Sequence, residues 1–292
     1  MDPLPQYGTY AFLPYTSSHP LPPEAPSLAI KYNSTYTYCG PLLSLSTVPP
    51  SLLSWLTQTT TSPLALLSRL IPLLAFLCDF LKQAGVQHYW LTLRATIPTK
   101  EYDVPRWHVD DSFLSSITTP QSDGERSKKW KQGWEGKKDK KADKGWKLCT
   151  TLLGPNTLFL QSSSNPSALK TVCETRSREN AKRDHVCSSI RCVGCFDAGE
   201  AVRRSLAIEF AGEEVVQAKY REVVFFRIGD EEGAVHSEPP CSVDRVFVNV
   251  VPGTEEDLRK LMKRYGMEFP RAWSLGLPGK SVQPDELAER TL

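Results

Sequence analysis

Runs of β-branched and aromatic residues mark three strands in the middle of the chain. They are His88–Thr96 (HYWLTLRAT), Glu222–Ile228 (EVVFFRI) and Arg245–Val251 (RVFVNVV), whose composition suits a pleated, half-buried surface. Two other stretches read as helices. Pro63 to Leu81 is rich in leucine; Ser62 stands at an N-cap position, Pro63 fits the first turn, Pro72 is expected to kink or split the helix, and Gly85 fits its stop. Glu255 to Tyr265 has Leu258, Leu261 and Met262 on one face, with Thr254 as cap.

The leucine-rich stretch is long enough to raise the question of a membrane span. Arg69, Pro72 and Asp79 fall inside it, and charges at bilayer depth are costly in so short a segment. It is therefore expected to be a buried helix, with no membrane as partner. Residues 1–27 are rich in proline, tyrosine and serine and read as a loosely ordered arm. Residues 28–273 read as one domain of mainly β, α+β class: a mixed lead-in to residue 85, then strand-rich sequence from 86 to 252, then the C-terminal helix. Residues 274–292 read as a flexible tail.

The chemistry concentrates in the strand-rich part. His108-Val109-Asp110 places two metal-binding side chains on one side of an extended segment, because side chains alternate along such backbone, and His236 far downstream can supply a third. Two imidazoles and one carboxylate can hold Fe(II) on one face and leave positions open for a co-substrate and dioxygen. Arg245 adds a planar fork that matches a carboxylate through two parallel hydrogen bonds.

In this order and type the residues resemble the Fe(II)/2-oxoglutarate oxygenase superfamily. The closer resemblance is to a poorly characterised microbial family with HVD, a TxLGPxT-type segment and HxxPP followed by arginine. Here these are His108-Val109-Asp110, Thr151-Leu152-Leu153-Gly154-Pro155-Asn156-Thr157, and His236-Ser237-Glu238-Pro239-Pro240 with Arg245; Asn156 replaces an expected glycine. The resemblance spans about residues 86 to 252. It implies a double-stranded β-helix (jelly roll, cupin-like) with Fe(II) held by His108, Asp110 and His236. It also implies 2-oxoglutarate paired with Arg245, with Thr150, Thr157 and Tyr220 as candidate hydroxyl partners. The implied reaction is hydroxylation or oxidative demethylation coupled to decarboxylation of 2-oxoglutarate. The nucleic-acid demethylase branch of that superfamily carries a further arginine six residues after the co-substrate arginine; Val251 stands there, which argues against that branch.

Two insertions, 119–146 and 162–199, interrupt the strand-rich block. Gly124 to Lys147 holds ten Lys or Arg against four Asp or Glu, interleaved with Trp130, Trp134 and Trp146. Such a segment can contact nucleic acid, but a solvated loop is the favoured reading. The second insertion holds Cys173, His185, Cys187, Cys192 and Cys195. Cys192 and Cys195 with Cys187 and Cys173 (or His185) would make a structural zinc site. The absence of a second CxxC and the loose spacing weigh against zinc and favour reduced thiols in a loosely ordered loop.

Composition adds only bounds. A chain of 292 residues, 40% hydrophobic, with formal charge +2 makes no global claim on partners. No secretory start is visible after Met1, so a cytoplasmic or nuclear setting is expected. No GxSxG, GxxxxGK[ST], HExxH or GxGxxG pattern anchors a hydrolase, nucleotidase, zincin or dinucleotide-binding reading. Two alternatives remain: a non-catalytic β-helix protein that binds partners through its basic and cysteine-rich insertions, and a cupin-like metal enzyme that does not use 2-oxoglutarate.

Overall fold

The computed structural model describes residues 4–15, 28–44, 47–111, 145–182 and 193–278. Within them, chain order is β1 (Tyr10–Pro14), β2 (Ser34–Pro41), α1 (Pro50–Thr59), α2 (Pro63–Gln83), β3 (His88–Thr96), β4 (Trp146–Leu153), β5 (Leu158–Leu160), α3 (Asn165–Ala181), α4 (Val193–Glu209), β6 (Val215–Gln217), β7 (Glu222–Arg227), β8 (His236–Ser237), β9 (Arg245–Gly253), α5 (Glu255–Arg264) and β10 (Arg271–Leu275). The expected α+β, mainly β class is what these elements form. A seven-stranded sheet has the order β1-β7-β4-β9-β3-β2-β10, and a three-stranded sheet the order β6-β5-β8. Their ladders are antiparallel.

Strand alternation sorts the large sheet into two faces. Leu91 and Leu93 of β3, with Val246, Val248 and Val250 of β9, face a core completed by Trp55 of α1 and Leu66, Leu70 and Leu74 of α2. Each such side chain gains about 1.5–3 kcal/mol on leaving water. The intervening residues, among them Lys147, Cys149, Arg94, Arg245 and Phe247, take the opposite face. There the small sheet covers β7 and β4 through Phe159, whose ring meets Phe226 and Tyr10 at centroid distances of 5.6 and 5.2 Å. Further along that face, Leu258 and Met262 of α5 pack on Cys39.

The leucine-rich helix is buried on one side as expected, but it runs unbroken through Pro72. Proline removes a single internal hydrogen bond there, and the apolar contacts on both sides of it hold the helix together. By length and composition alone, α2 is long and apolar enough to cross a bilayer. Its internal cation has a local partner: Arg69 donates to the Leu152 carbonyl at 2.9 Å, beside the register shift between Thr151 and Leu153 in β4. Ser62 makes no side-chain cap. Gly85, at φ 75°, ends the segment as expected. Thr254 does cap α5, accepting from the Asp257 amide at 3.1 Å.

Three expectations are corrected. Residues 4–15 are not a loose arm: β1 pairs with β7 from Tyr10↔Phe226 to Pro14↔Glu222. The buried Arg227 donates to the carbonyls of Leu4 and Gly8 at 2.7 and 3.2 Å. Tertiary pairing outweighs the local composition. The second insertion is no loop in its described parts, because α3 and α4 pack through Ala168, Val172, Val202 and Leu206. Trp146 and Lys147 belong to no solvated loop either; they open β4, and Trp146 packs in the core against Phe225. Residues 112–144, with Trp130 and Trp134, lie outside the described residues, as do 16–27 and 279–292.

Burial of α2 against the sheet yields a direct comparison. Leu74→Ala is expected to cost about 2–5 kcal/mol in chemical denaturation, and Leu64→Ala, at a position 79% exposed, less than about 0.5 kcal/mol. Equal costs would contradict this packing.

Candidate metal centre

Extended backbone from Trp107 to Asp110 directs alternate side chains to opposite sides. Trp107 and Val109 enter the apolar cluster made by α3 and α4, while His108 and Asp110 face the other way. The His108 amide donates to the His236 carbonyl at 2.9 Å, and the His236 amide donates back to the His108 carbonyl at 3.0 Å. This exchanged pair sets the two residues directly opposite each other, as in an antiparallel ladder. Their imidazole centroids are 4.4 Å apart.

The three side chains predicted from sequence as metal ligands converge. One ligand atom from each of His108, Asp110 and His236 lies within 4.8 Å of the others. His108 Nε2 is 3.9 Å from Asp110 Oδ1, and His236 Nε2 is 3.8 Å from Oδ2. The histidine tautomers follow from their neighbours. His108 Nδ1 lies 2.8 Å from the Arg106 carbonyl and His236 Nδ1 2.9 Å from the Ala234 carbonyl. A carbonyl only accepts, so each Nδ1 carries a proton, and Nε2 is the ring nitrogen that each histidine turns toward Asp110. Backbone bonds of this kind orient imidazole ligands at metal sites.

Electrostatics fit the same role. Burial, with His108 close by, pulls His236 down to about 4, against partial opposition from Asp110. Its imidazole is therefore neutral near pH 7 and ready to ligate. Burial alone would raise the Asp110 carboxyl, but His236, Lys147 and His108 together outweigh it and hold the group well below the usual carboxylate range. Lys147 contributes a hydrogen bond as well, Nζ to Oδ2 at 2.9 Å. That bond orients the carboxylate and leaves Oδ1 toward His108. On the same strand face lies Cys149, whose thiol burial pushes up to about 12, so it offers no thiolate at neutral pH. His108 and Asp110 each keep 24% side-chain exposure, which leaves an approach from solvent, whereas Phe159 and Phe226 close the His236 side at 5.5 and 5.0 Å.

Several supports were invisible to sequence reasoning. Asn165, at the start of α3, is buried. Its side-chain amide donates to the Gly233 carbonyl at 3.0 Å and accepts from the Val235 amide at 2.8 Å, fixing the approach to His236. Gly233 is required by contact: a Cβ there would lie 2.4 Å from both Val109 Cγ1 and the Gly229 carbonyl oxygen. The Gly229 amide in turn donates to the Asp110 carbonyl at 2.8 Å. No local signal marks Asn165. Lys147 was legible as the one charge in WKLCTTLL, had that segment been read as a strand.

The remaining candidates separate. Arg245 is 3% exposed. Its Nε donates to the Pro155 carbonyl at 2.9 Å, and one terminal nitrogen is buried without a partner. Gly154 makes that contact possible, since at φ 79° a Cβ would lie 2.6 Å from the Asp244 carbonyl oxygen. Asn156, in place of the expected glycine, bonds to the Ala218 carbonyl at 3.1 Å and accepts from Thr151 at 2.8 Å, securing the turn after β4. Thr157 is buried beside Cys149. Thr150 falls on the face away from Lys147, and its hydroxyl donates to the Glu222 carbonyl at 2.7 Å. Tyr220 is half-exposed against Arg221, and no contact links it to the His108, Asp110 and His236 cluster among the described residues. Of the proposed zinc ligands, Cys173 is a half-buried free thiol in α3; His185, Cys187, Cys192 and the side chain of Cys195 lie outside the described residues.

No family model, no curated protein and no solved structure matches the chain.

Two outcomes test this description. Below the ordinary histidine value of 6.5 the unfolded chain takes up a proton that folded His236 refuses until about pH 4. Chelator-treated protein should thus lose stability on the order of 3 kcal/mol as pH falls across that window. His236→Gln should flatten the slope in denaturation curves at pH 7 and 4.5; an unchanged slope would assign it to other groups. Asn165→Ala should cost about 1–3 kcal/mol for each buried group left unpaired, read by the same denaturation; no loss would show that other contacts suffice to fix residues 233–235.

Proposed function

We propose that the chain is an Fe(II)- and 2-oxoglutarate-dependent oxygenase on a double-stranded β-helix, hydroxylating or oxidatively demethylating its substrate. The observation that carries this reading is the convergence of two imidazole Nε2 atoms and one carboxylate. It is joined by a buried arginine with an unmet terminal nitrogen, at the start of the strand that follows β8.

The winding supports it. From β3 in the large sheet the chain bridges to β8 of the small sheet at His108 and returns to the large sheet as β4. It then supplies β5 and β6 to the small sheet, β7 to the large, β8 to the small and β9 to the large. Such alternation is what two antiparallel sheets wound from one ribbon require.

His108, Asp110 and His236 would hold the metal. Fe(II) held there would supply the chemistry of α-keto acid decarboxylation coupled to dioxygen activation. Lys147 keeps the Asp110 carboxylate ionised and aimed. The Ala234 and Arg106 carbonyls keep both imidazoles in the ligating tautomer, and Phe159 and Phe226 exclude water behind His236. Arg245, already desolvated, would take the distal carboxylate of the co-substrate in a charge-assisted bond at little further desolvation cost to itself.

Anaerobic titration of chelator-stripped protein with Fe(II) and then 2-oxoglutarate tests this. A visible metal-to-ligand charge-transfer band is expected in wild type and absent in His236→Ala. In Arg245→Ala it should appear only at ten-fold or more higher 2-oxoglutarate. Metal binding without any co-substrate band would favour a cupin-like metal enzyme, and binding of neither would remove the oxygenase reading.

A further inference from the structure

Arg94 and Arg245 are cross-strand neighbours on the face of the large sheet that carries Lys147. The register pairs Arg94 with Phe247 and Thr96 with Arg245, so the two arginines are diagonal partners at about 7–8 Å between backbones. Both guanidinium groups lie against one ring: Arg94 Cζ is 5.4 Å and Arg245 Cζ 4.7 Å from the Phe247 centroid.

Like charges repel across a sheet, most strongly when directly opposite, and long side chains still reach one another across a diagonal. Among the described residues, neither arginine is in an ion pair, and Arg94 makes no hydrogen bond. Glu238 is near enough to be felt by both charges, yet it pairs with neither within 4 Å. Arg245 has a buried terminal nitrogen with no partner, and leaving such a group unmet costs about 1–3 kcal/mol or more. Burial first, and then the Arg94 charge, pull Arg245 down to about 10, with Glu238 among the groups that oppose this in part.

We propose that Arg94 and Arg245 form one oxyanion site, in which a single carboxylate or phosphate group is held by both guanidinium groups beside the Phe247 ring. This extends the role of Arg245 proposed above and makes Arg94 a second anchor, while requiring no metal. Either the far end of a dicarboxylate or an oxyanion of another ligand has the required chemistry.

The test is calorimetric titration of the full chain in chelator with succinate and with inorganic phosphate, for wild type, Arg94→Met, Arg94→Lys and Arg245→Met. Expected are binding of at least one probe by wild type, ten-fold or greater weakening in both Met variants, partial retention in Arg94→Lys, and mutual competition where both probes bind. In the absence of ligand, Arg94→Met should melt no lower than wild type, because it relieves a like-charge pair; a purely structural arginine would melt lower on removal. Wild-type binding of neither probe overturns the proposal. So does unchanged affinity in Arg94→Met, or phosphate binding that persists under saturating succinate. Loss in both Met variants together with failure of Fe(II) to bind His236 would keep this inference while removing the oxygenase reading.

Discussion

Two main-chain hydrogen bonds exchanged between His108 and His236 are the constraint on which the rest of the site depends. They join segments on either side of β4 to β7 and leave no freedom in which residue faces which. With that pairing fixed, alternation alone sends Trp107 and Val109 into the α3–α4 cluster and His108 and Asp110 toward His236. Each further support acts on one of the two paired segments. Asn165 holds residues 233 and 235, Gly233 lets Val109 approach, and Gly229 binds the Asp110 carbonyl. The helices of the second insertion are therefore part of the site's foundation.

A second constraint is charge. A partly buried carboxylate is costly unless a cation stands beside it, and Lys147, at 2.9 Å from Asp110, is that cation. The same sheet face carries Arg94 and Arg245 farther along, where no described acid forms an ion pair with either and Glu238 acts only from beyond 4 Å. The face thus divides into an end with a close ion pair and an end without one among the described residues.

How much of this was legible in the sequence depended on whether local pattern or distant pairing decides an element. The strands at 88–96, 222–227 and 245–253 follow their β-branched and aromatic content, and α2 and α5 their apolar spacing. The convergence of His108 and Asp110 was legible because alternate side chains of an HxD step share one side in extended backbone, and His236 as the candidate third member only by its residue type. What escaped needed tertiary knowledge. β1 exists because β7 and Arg227 hold it, whereas its own residues read as an arm. Lys147 was counted with the lysines that precede it, although the strand begins one residue before it. Thr150 and Thr151 differ by a single step, and a single step decides which side of a sheet a hydroxyl reaches.

The pairing of β1 with β7 also bears on solubility. Without residues 10–14, the segment Glu222-Val-Val-Phe-Phe-Arg227 would become the outer strand of the large sheet, presenting unpaired amides and carbonyls along a short apolar run. Strands of that kind recruit further copies of themselves edge to edge. The short N-terminal strand, which ends at Pro14, thus takes the outer position in place of that run, beside the aromatic wall that encloses His236.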